Sequence, residues 1–478
     1  MYQFLFYNTF AKKHVWFKTT QVGRVSLYTC GPTVYNYAHI GNLRTYIFED
    51  ILKRGLEFLG YQVYHVLNVT DVGHLESDND FGEDKLNIAA QKERRTVFEI
   101  ANYYEKVFFV NLKHLNIKPP QIICRATDYV EQMIEHICNL MRLDYAYEVN
   151  GNVYFRVKKF KKYLHMCESI DSQCEVNRVE IDQFKEDKRD FVLWFSNSKF
   201  AKQIMQWNSP WGKGFPGWHI ECSVMSIYFF GRMIDIHCGG IDHIPIHHRN
   251  ELAQSECLLQ HDWVYIWLHG NFLVQNNCKM AKSSGNFLTL ELLNALGFSE
   301  MHFRFFCIGV HYRYHLNFSF EALLGVKISY DKLLLSIKEL NGNNVENVSS
   351  ENISYLNIIL LRIQNAIMFD LDTPKIVNIV WEILRSKCLL VSTKKHLLYI
   401  CDRVLGLNLF QERENVILTD SQKHKINQRQ HARKEGNWMF ADLIRKDLEK
   451  EGIFLKDTMN NETQWYFKSG KRDLNPRL

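Results

Sequence analysis

The chain of 478 residues is 46% hydrophobic and 23% charged, a composition typical of soluble globular proteins, and its length predicts about three domains of roughly 150 residues each. Its net charge of +5 is too small to identify a nucleic-acid partner. We find no uncharged apolar run of the roughly 18 residues that a membrane span needs, and no signal-peptide pattern. We therefore expect a cytoplasmic protein whose twelve cysteines are reduced thiols, with some available as metal ligands.

The first elements along the chain follow a strand–helix–strand pattern. Residues 25–30 predict a strand that a Gly-Pro pair ends, and apolar residues at helical spacing predict a helix from about Asn42 to a glycine cap at Gly60. Residues 61–69 are rich in Val, Tyr and Leu and predict a second strand. This order favours a βαβ unit with its ligand site at the carboxyl end of the first strand.

A second region of the same kind follows later in the chain. Residues 234–238 predict a strand, two glycines follow it, and a helix is expected over 245–260. Between the two halves, residues 128–142 predict a helix and 152–157 a strand. We interpret the stretch from about 120 to 205 as an insertion into a nucleotide-binding domain.

The pattern becomes helical after about residue 318, and a polar stretch over 341–354 predicts a loop. The final segment, 421–478, contains 13 Lys or Arg and 8 Asp or Glu, an excess of +5 that equals the charge of the whole chain. The basic excess is therefore local to this segment. The predicted helices cover 321–340, 356–368, 374–386 and 396–405.

The first chemical motif runs from Cys30 to Asn42 and contains His39-Ile-Gly41. At the start of a helix, free backbone N–H groups favour phosphate, and a residue without a side chain lets adenine or ribose approach closely. The tripeptide alone is weak evidence, because it is more often part of an ordinary loop before a helix.

The second motif lies about 240 residues downstream and reads Lys279-Met-Ala-Lys282-Ser283-Ser-Gly-Asn. Two lysines three residues apart among small residues are typical of a mobile loop that closes on a triphosphate, where each stabilises the developing negative charge. A lysine-rich loop by itself is more often solvated surface. Both motifs in this order are far more specific than either alone.

Together the two motifs resemble the paired signatures of the class I aminoacyl-tRNA synthetases, commonly written HIGH and KMSKS. This sequence has His-Ile-Gly-Asn and Lys-Met-Ala-Lys-Ser. Asn42 can still donate hydrogen bonds in place of the last histidine, and Ala281 removes one hydroxyl from the loop. Both departures are tolerable because Gly41 and the two lysines remain.

A third group of residues suggests a metal site. The candidate ligands are Cys30, Cys222, His247 and Glu251. His247 and Glu251 are four residues apart, so a helix would place both on one face, where they could share an ion. The spacing does not prove a site, because the His–Glu pair could lie on the surface and buried cysteine often behaves as a small hydrophobe.

The blocks around these residues resemble those of the cysteinyl-tRNA synthetase family, in the order that the family has them. The resemblance continues over 369–374 and 432–453 and so covers nearly the whole chain. The earlier blocks are Cys30-Gly-Pro-Thr-Val-Tyr, Ser209-Pro-Trp-Gly, Pro216-Gly-Trp-His-Ile-Glu-Cys-Ser, Asp235-Ile-His237, His247-His248-Arg-Asn-Glu251 and residues 279–288.

This resemblance implies that Cys30, Cys222, His247 and Glu251 hold one zinc ion, to which substrate cysteine binds through its sulfur. A thiol with a pKa near 8.5 loses its proton readily on a metal, whereas the hydroxyl of serine does not. Zinc can therefore separate the two amino acids without an editing domain, and we find no segment that reads as one. The residues that the resemblance places around cysteine or its adenylate are Gly31, Thr70, Trp218, His237 and Asp242.

The implied reaction has two steps, with cysteine, ATP and tRNA(Cys) as partners and no membrane. The cysteine carboxylate attacks the α-phosphorus of magnesium-bound ATP, and the terminal ribose of the tRNA then takes the cysteinyl group. The resemblance gives His39 and Asn42 the role of holding the phosphates, and Lys279 and Lys282 that of stabilising the departing pyrophosphate. The expected ATP-binding residues are His39, Gly41, Asn42, Lys279, Lys282 and Ser283.

The sequence departs from the family pattern close to the predicted ligands. Cys238 stands in place of a glycine, His243 in place of an apolar residue and Arg249 in place of an acidic one. Residues 70–75, Thr-Asp-Val-Gly-His-Leu, also differ from the familiar aspartate-rich version. Cys238, His243 and His248 are thus rival ligands, which leaves the zinc set open.

The expected fold class is α/β. A Rossmann-like parallel-sheet nucleotide-binding domain with an insertion is followed by an α-helical bundle and a small C-terminal tRNA-binding domain. The predicted boundaries are 1–120 and 206–318 for the two halves of the catalytic domain, 121–205 for the insertion, 319–405 for the bundle and 406–478 for the anticodon-binding domain.

Two other functions remain compatible with parts of the sequence. A ligase could pass the same cysteinyl-adenylate to a small amine, but such an acceptor would not need the basic C-terminal segment. A non-catalytic RNA-binding or sensing protein would not need His39, Lys279 and Lys282.

Overall fold

The computed structural model describes residues 3–73, 85–163, 183–196, 204–275, 278–279, 288–340, 350–411, 419–451, 453–457 and 463–467. Lys282 and Ser283 of the second motif lie outside these residues, as does the tail after 467 that the sequence predicts to be disordered. For Lys279 the backbone alone is described. No described helix is long and apolar enough to cross a membrane.

The N-terminal part of the chain contains the predicted strand–helix–strand unit. Its helix begins at Ile40, two residues before the predicted start, because the His39 side chain accepts a hydrogen bond from the Asn42 N–H and caps the first turn. Gly60 follows the helix with a φ of +91°, where a side chain would be strained. The elements are β1 (Leu5–Asn8), β2 (Lys13–Trp16), β3 (Arg24–Thr29), α1 (Ile40–Phe58), β4 (Gln62–Val69), α2 (Lys85–Glu93), α3 (Val97–His114) and β5 (Ile122–Arg125).

After β5, the described residues up to Pro216 contain an α-helix and an antiparallel sheet. This sheet extends past the end predicted for the insertion at 205, and β5 lies within the predicted bounds of 121–205 but belongs to the parallel sheet. The sheet order is β6-β7-β8-β10-β9, and all five residues of its central strand β8 are buried, consistent with the sequence Phe-Val-Leu-Trp-Phe. The elements are α4 (Val130–Arg142), β6 (Ala146–Val149), β7 (Asn152–Phe155), β8 (Phe191–Phe195), β9 (Trp207–Ser209) and β10 (Gly212–Pro216).

The chain then returns to complete a five-stranded parallel sheet. The helix predicted over 245–260 is regular only from Arg249, because a single π-helical turn over Ile244–His248 precedes it. The elements are α5 (Trp218–Phe230), β11 (Ile234–Gly240), α6 (Arg249–Leu259) and β12 (Val264–Gly270).

The order of this parallel sheet is β12-β11-β3-β4-β5. The chain runs outward from β3 through β4 to β5 on one side, and from β11 to β12 on the other. The order therefore reverses between β3 and β11, whose carboxyl ends are joined by a hydrogen bond from the Cys30 N–H to the Cys238 carbonyl of 3.2 Å. In open parallel sheets ligands bind in the crevice at this reversal.

A small sheet and two short helices follow the parallel sheet. The three strands have the order β14-β13-β15. The first helix is capped by Thr289 and the second by Ser299. The elements are β13 (Leu273–Gln275), β14 (Cys278–Lys279), α7 (Leu290–Ala295), α8 (Glu300–Ile308) and β15 (Leu316–Phe318).

The next region is helical, as predicted, although the loop expected over 341–354 ends earlier because a helix starts at Ser350. Buried Arg304 of α8 links this region to the sheet domain: it donates to the Leu405 carbonyl at 2.8 Å and lies 2.5 Å from the Asp50 carboxylate of α1. The helices are α9 (Phe320–Lys338), α10 (Ser350–Met368), α11 (Thr373–Arg385) and α12 (Val391–Leu405).

The last described segment has a small core of its own, formed by Ile426, Ile444, Leu448, Ile453 and Leu455. The elements are α13 (Asp420–Lys434), α14 (Trp438–Lys450), β16 (Ile453–Asp457) and β17 (Thr463–Phe467). The predicted architecture of a parallel α/β sheet followed by a helical C-terminal region is therefore confirmed. The domain boundaries and the RNA-binding role of the last segment stay predictions.

Candidate active site and metal centre

The candidate site lies where the sheet order reverses, at the carboxyl ends of the parallel strands. Cys30 directly follows β3 and Thr70 directly follows β4, while His237 lies in the middle of β11 and His269 near the end of β12. Parallel strands place their carboxyl ends at one edge, so side chains distant in sequence meet there.

Four of the predicted metal ligands converge at this edge. One donor atom from each of Cys30, Cys222, His247 and Glu251 lies within 4.8 Å of the others, and all four residues are buried. The two sulfurs are 3.9 Å apart, and His247 Nε2 lies 2.9 Å from Glu251 Oε1. Two thiols, an imidazole and a carboxylate form a donor set that suits zinc.

The sequence explains how each element presents its ligand. Cys222 lies on α5, after Gly217 at the N-cap position. Glu251 lies in the first turn of α6, and His247 in the π-helical turn before it. The predicted (i, i+4) contact between His247 and Glu251 therefore forms across the junction of these two turns.

A second set of donors shares two of these residues. Cys30, His237, His248 and Glu251 also lie within 4.8 Å of one another, with His248 Nε2 3.2 Å from the Cys30 sulfur. Of the three rival ligands that the sequence left open, His248 therefore remains an alternative metal ligand. Neither donor set contains Cys238 or His243, and Cys238 is a fully buried residue of β11.

Three further imidazole contacts surround the ligands. His219 Nδ1 lies 3.0 Å from His247 Nδ1, and His237 Nε2 lies 2.9 Å from Glu251 Oε2. His248 Nδ1 lies 2.7 Å from His269 Nε2. Partners of this kind fix the tautomer and orientation of a metal-binding side chain.

Sequence reasoning missed two of these histidines, His219 and His269. A signal for His219 existed, because it is three residues before Cys222 and so lies on the same side of α5. His269 gave no comparable signal, since it comes from β12, 21 positions beyond its partner His248.

The charges of the four donors are strongly coupled. Burial opposes ionisation of Cys222, but its hydrogen bond with Cys30 and the neighbouring His247 outweigh it and lower its pKa to about 6. Burial likewise opposes charge on His247, yet Glu251 and Cys222 raise the pKa of that imidazole to about 10. Burial raises the pKa of the Cys30 thiol. A metal ion must displace the protons on His247 and Cys30, so its affinity should rise with pH.

The residues predicted to line the amino-acid pocket surround the same edge. Gly31 has its N–H 2.8 Å from Asn68 Oδ1, and a Cβ there would lie 1.6 Å from the Asn68 carbonyl, so only glycine fits. Trp218 stacks obliquely on His247, with ring centroids 4.3 Å apart. Asp242 is exposed in the turn after β11. His237, by contrast, is completely buried against Glu251.

Thr70 has a buried partner that the sequence did not suggest. Its hydroxyl donates to Glu221 Oε2 at 2.7 Å, and Glu221 immediately precedes Cys222 on α5. Burial raises the pKa of the Glu221 carboxyl. This contact joins the end of β4 to the helix that carries one of the thiols.

The first motif forms the N-terminus of α1. The Asn42 N–H donates to His39 Nδ1 at 3.1 Å, so a neutral His39 ring carries its proton on Nε2. A Cβ on Gly41 would lie 2.9 Å from the His39 ring. The glycine therefore makes room for the histidine, which is a more direct reason for its presence than the predicted approach of a nucleotide.

The described residues on either side of the second motif have contacts that the structure gives. Lys279 pairs with Val274 in the β13–β14 ladder, and on the far side of the motif the Leu288 carbonyl accepts a hydrogen bond of 2.9 Å from the Ile40 N–H. Thr289 also forms an isolated antiparallel β-bridge with His39. Leu288 and Thr289, which follow the second motif in the chain, therefore lie beside the first motif, while Lys282 and Ser283 lie outside the described residues.

Comparisons with known proteins agree with this geometry. A family model described as the catalytic domain of class I (C) tRNA synthetases matches residues 16–328. The chain is 41% identical to a cysteine–tRNA ligase of Borrelia garinii subsp. bavariensis, with 91% of this chain and 94% of the relative covered. It is 40% identical to a cysteine–tRNA ligase of Treponema denticola, with 96% and 98% covered.

Among solved structures, the chain resembles methionyl-tRNA synthetase of Mycobacterium tuberculosis in complex with methionyl-adenylate. The TM-score is 0.55 at 15% identity, with 81% of this chain and 90% of that chain covered. At this identity the likeness concerns the fold alone.

Proposed function

The chain belongs to the cysteine–tRNA ligase family and attaches cysteine to tRNA(Cys) with ATP; from that premise we propose that zinc held by Cys30, Cys222, His247 and Glu251 selects the cysteine. The observation that carries the proposal is the convergence of these four buried donor atoms within 4.8 Å. Cys30, Cys222 and the His247–Glu251 pair are far apart in sequence, so it is the fold that brings the four donor atoms together.

The donors fit zinc in three respects. Sulfur, imidazole nitrogen and carboxylate oxygen are its usual protein ligands. Each of His247 and Glu251 has a second partner, His219 and His237 respectively, which orients it. The hydrogen bond with Cys30 and the neighbouring His247 lower the pKa of the Cys222 thiol, which favours the thiolate that zinc binds.

Bound zinc would supply a position at which the thiol of cysteine is bound as a thiolate, whereas the hydroxyl of serine is a poor ligand. Around this position the chain's own residues orient the amino acid. Gly31 lets the backbone after β3 lie directly against β4, and the Thr70–Glu221 hydrogen bond fixes the end of that strand. The Trp218 ring packs against His247 and covers that side of the site.

The activation step needs charge stabilisation rather than a general base, because the attacking group is already a carboxylate. We assign His39 Nε2 and Asn42 to the phosphates of ATP at the N-terminus of α1, where backbone N–H groups also favour anions. Lys279, Lys282 and Ser283 are assigned to the departing pyrophosphate, and Leu288, which follows them in the chain, contacts Ile40 at the start of α1.

The proposal is tested by exchange of labelled pyrophosphate into ATP with a panel of amino acids. The protein as purified should support exchange with cysteine and much less with serine. Removal of metal with a chelator should abolish cysteine-dependent exchange, and added zinc should restore it. A metal-free protein that still distinguishes cysteine from serine would contradict the role of zinc.

A further inference from the structure

Three tyrosines form a cluster at the mouth of the site, beside the first motif. Tyr37 lies two residues before His39, and its hydroxyl is 3.0 Å from that of Tyr103 on α3. Tyr37 also packs edge-to-face on Tyr104, with centroids 5.1 Å apart and an interplanar angle of 85°. Tyr103 remains 38% exposed. The mechanism proposed above gives this tyrosine cluster no role.

Cationic side chains border the tyrosine cluster. The Arg95 guanidinium lies over the Tyr103 ring at 5.1 Å from its centroid, and the Arg95 side chain is 47% exposed. Lys92 in the last turn of α2 and Arg94 just after that helix are exposed, as is Lys106 on α3. The surface therefore combines aromatic rings, a planar guanidinium and further positive charge.

Two carboxylates near Tyr103 and Tyr104 have hydrogen-bond partners. Glu93 accepts a hydrogen bond from the Tyr104 hydroxyl and lies 3.9 Å from Arg95. Glu99 accepts from the Thr96 N–H and hydroxyl in the capping box of α3. These two carboxylates are outnumbered by four exposed cationic side chains, Lys92, Arg94, Arg95 and Lys106, so the local charge favours an anionic partner.

We propose that the tyrosine cluster and Arg95 hold the unpaired 3′ end of the tRNA as it enters the active site. Unpaired bases stack on aromatic rings and on guanidinium planes, while lysine and arginine contact the adjacent phosphates. The position fits this partner, because the terminal ribose must reach the adenylate close to His39. The inference rests on the proposed function and adds the contact residues for one of its substrates.

The test compares two reactions of the full-length enzyme. Tyr103→Leu should leave cysteine-dependent pyrophosphate exchange within twofold of wild type, because that reaction needs no tRNA. Aminoacylation, measured as kcat/KM for tRNA(Cys), should fall about tenfold through loss of one stacked base. Tyr103→Phe keeps the ring and should retain most of the activity. Tyr64→Leu is the matched control: Tyr64 is also exposed but lies near the amino end of β4, at the opposite edge of the sheet.

Two binding measurements sharpen the assignment. A tRNA that lacks its unpaired 3′ nucleotides should bind wild type more weakly than intact tRNA does, and it should bind wild type and Tyr103→Leu equally well. Arg95→Ala should make the salt dependence of intact tRNA binding shallower, by about 0.7 in the slope of log affinity against log salt, as expected for one contact to a single strand.

Other occupants give different results. A raised KM for ATP in the exchange reaction, with tRNA binding unchanged, would assign the cluster to the nucleotide and overturn the proposal. A change in sedimentation on Tyr103→Leu would indicate contact with a second copy and would also overturn it. If Tyr103→Leu lowered the affinity for intact tRNA and for shortened tRNA by the same factor, the cluster would have a structural role only. Absence of cysteine-dependent exchange in wild type would instead contradict the proposed function itself.

Discussion

His219 and His247 face each other through their Nδ1 atoms, which are 3.0 Å apart, and both rings are almost completely buried. His247 turns its other nitrogen, Nε2, toward Glu251 Oε1 at 2.9 Å. If Nε2 of His247 binds an ion, its proton must lie on Nδ1, and His219 must accept it. The pair therefore sets the tautomer of a proposed metal ligand.

Replacing this partner should weaken metal binding without removing a ligand. We expect His219→Leu to lower zinc affinity by about 10–100-fold, measured by competition with a chromophoric chelator. His219→Gln can accept through its amide oxygen and should recover part of the loss. His136→Leu, which replaces a buried histidine of α4 that belongs to neither donor set, is the control. Unchanged zinc affinity in His219→Leu would mean that the contact has no part in metal binding.

Cys222→Ser separates the two possible donor sets. Cys222 belongs only to the set with His247, whereas the alternative set contains Cys30, His237, His248 and Glu251. A serine hydroxyl is a poor zinc ligand, so bound zinc should fall well below one per chain and discrimination against serine should be lost. Metal analysis and amino-acid-dependent pyrophosphate exchange measure these two effects.

Cys401→Ser, at an equally buried position of α12, is the matched control for Cys222→Ser and should retain zinc. One zinc per chain in Cys222→Ser would favour the alternative donor set with His248. Full zinc together with normal cysteine selectivity would contradict the proposed set.

Gly41→Ala tests how the first motif works. The new Cβ would lie 2.9 Å from the His39 ring, so the ring must move away from its position above the start of α1. We expect pyrophosphate exchange to fall about tenfold or more, because phosphate stabilisation by His39 depends on its placement. Gly325→Ala, inside α9 where open space surrounds the position, should leave exchange unchanged. Full activity in Gly41→Ala would show that the position of His39 does not matter.

Removal of the C-terminal segment should separate adenylation from tRNA recognition, provided that the chain ends at the right residue. Leu407 and Leu409 are buried, and their N–H groups donate to the Asp402 carboxylate at 2.7 and 3.0 Å. A chain that ends after Gln411 keeps these contacts, whereas one that ends at Leu405 should be destabilised. The longer truncation should retain cysteine-dependent exchange and lose aminoacylation through weaker tRNA binding.

The truncation also removes a basic surface, so the salt dependence of tRNA binding should become shallower. Trp438, which is 59% exposed at the start of α14 with the Arg433 guanidinium 5.5 Å from its ring centroid, is one residue suited to contact unpaired bases. Equal tRNA affinity of the full and shortened chains at one salt concentration would exclude this segment as the recognition surface.

Local sequence patterns determined the elements and the identity of the site's chemistry. The helix of α1, the strands on either side of it and the (i, i+4) pair of His247 and Glu251 follow from periodicities that extend over a few residues. Paired motifs around His39 and Lys279 indicated the class of reaction through their resemblance to the class I aminoacyl-tRNA synthetase signatures. These inferences required no knowledge of how distant segments pack.

Only the tertiary structure decided which side chains meet. Cys30 and Cys222 are separated by 192 positions, and their contact depends on the reversal of strand order between β3 and β11. Cys238 belongs to neither donor set, because it packs in the hydrophobic core on the face of β11 opposite His237, whereas His248 belongs to one of them. The tertiary structure also supplies the contacts of His219 and Glu221 that no periodicity indicates. The physical reason is that periodicity determines the face on which a residue lies, whereas the path of the chain between elements determines what that face contacts.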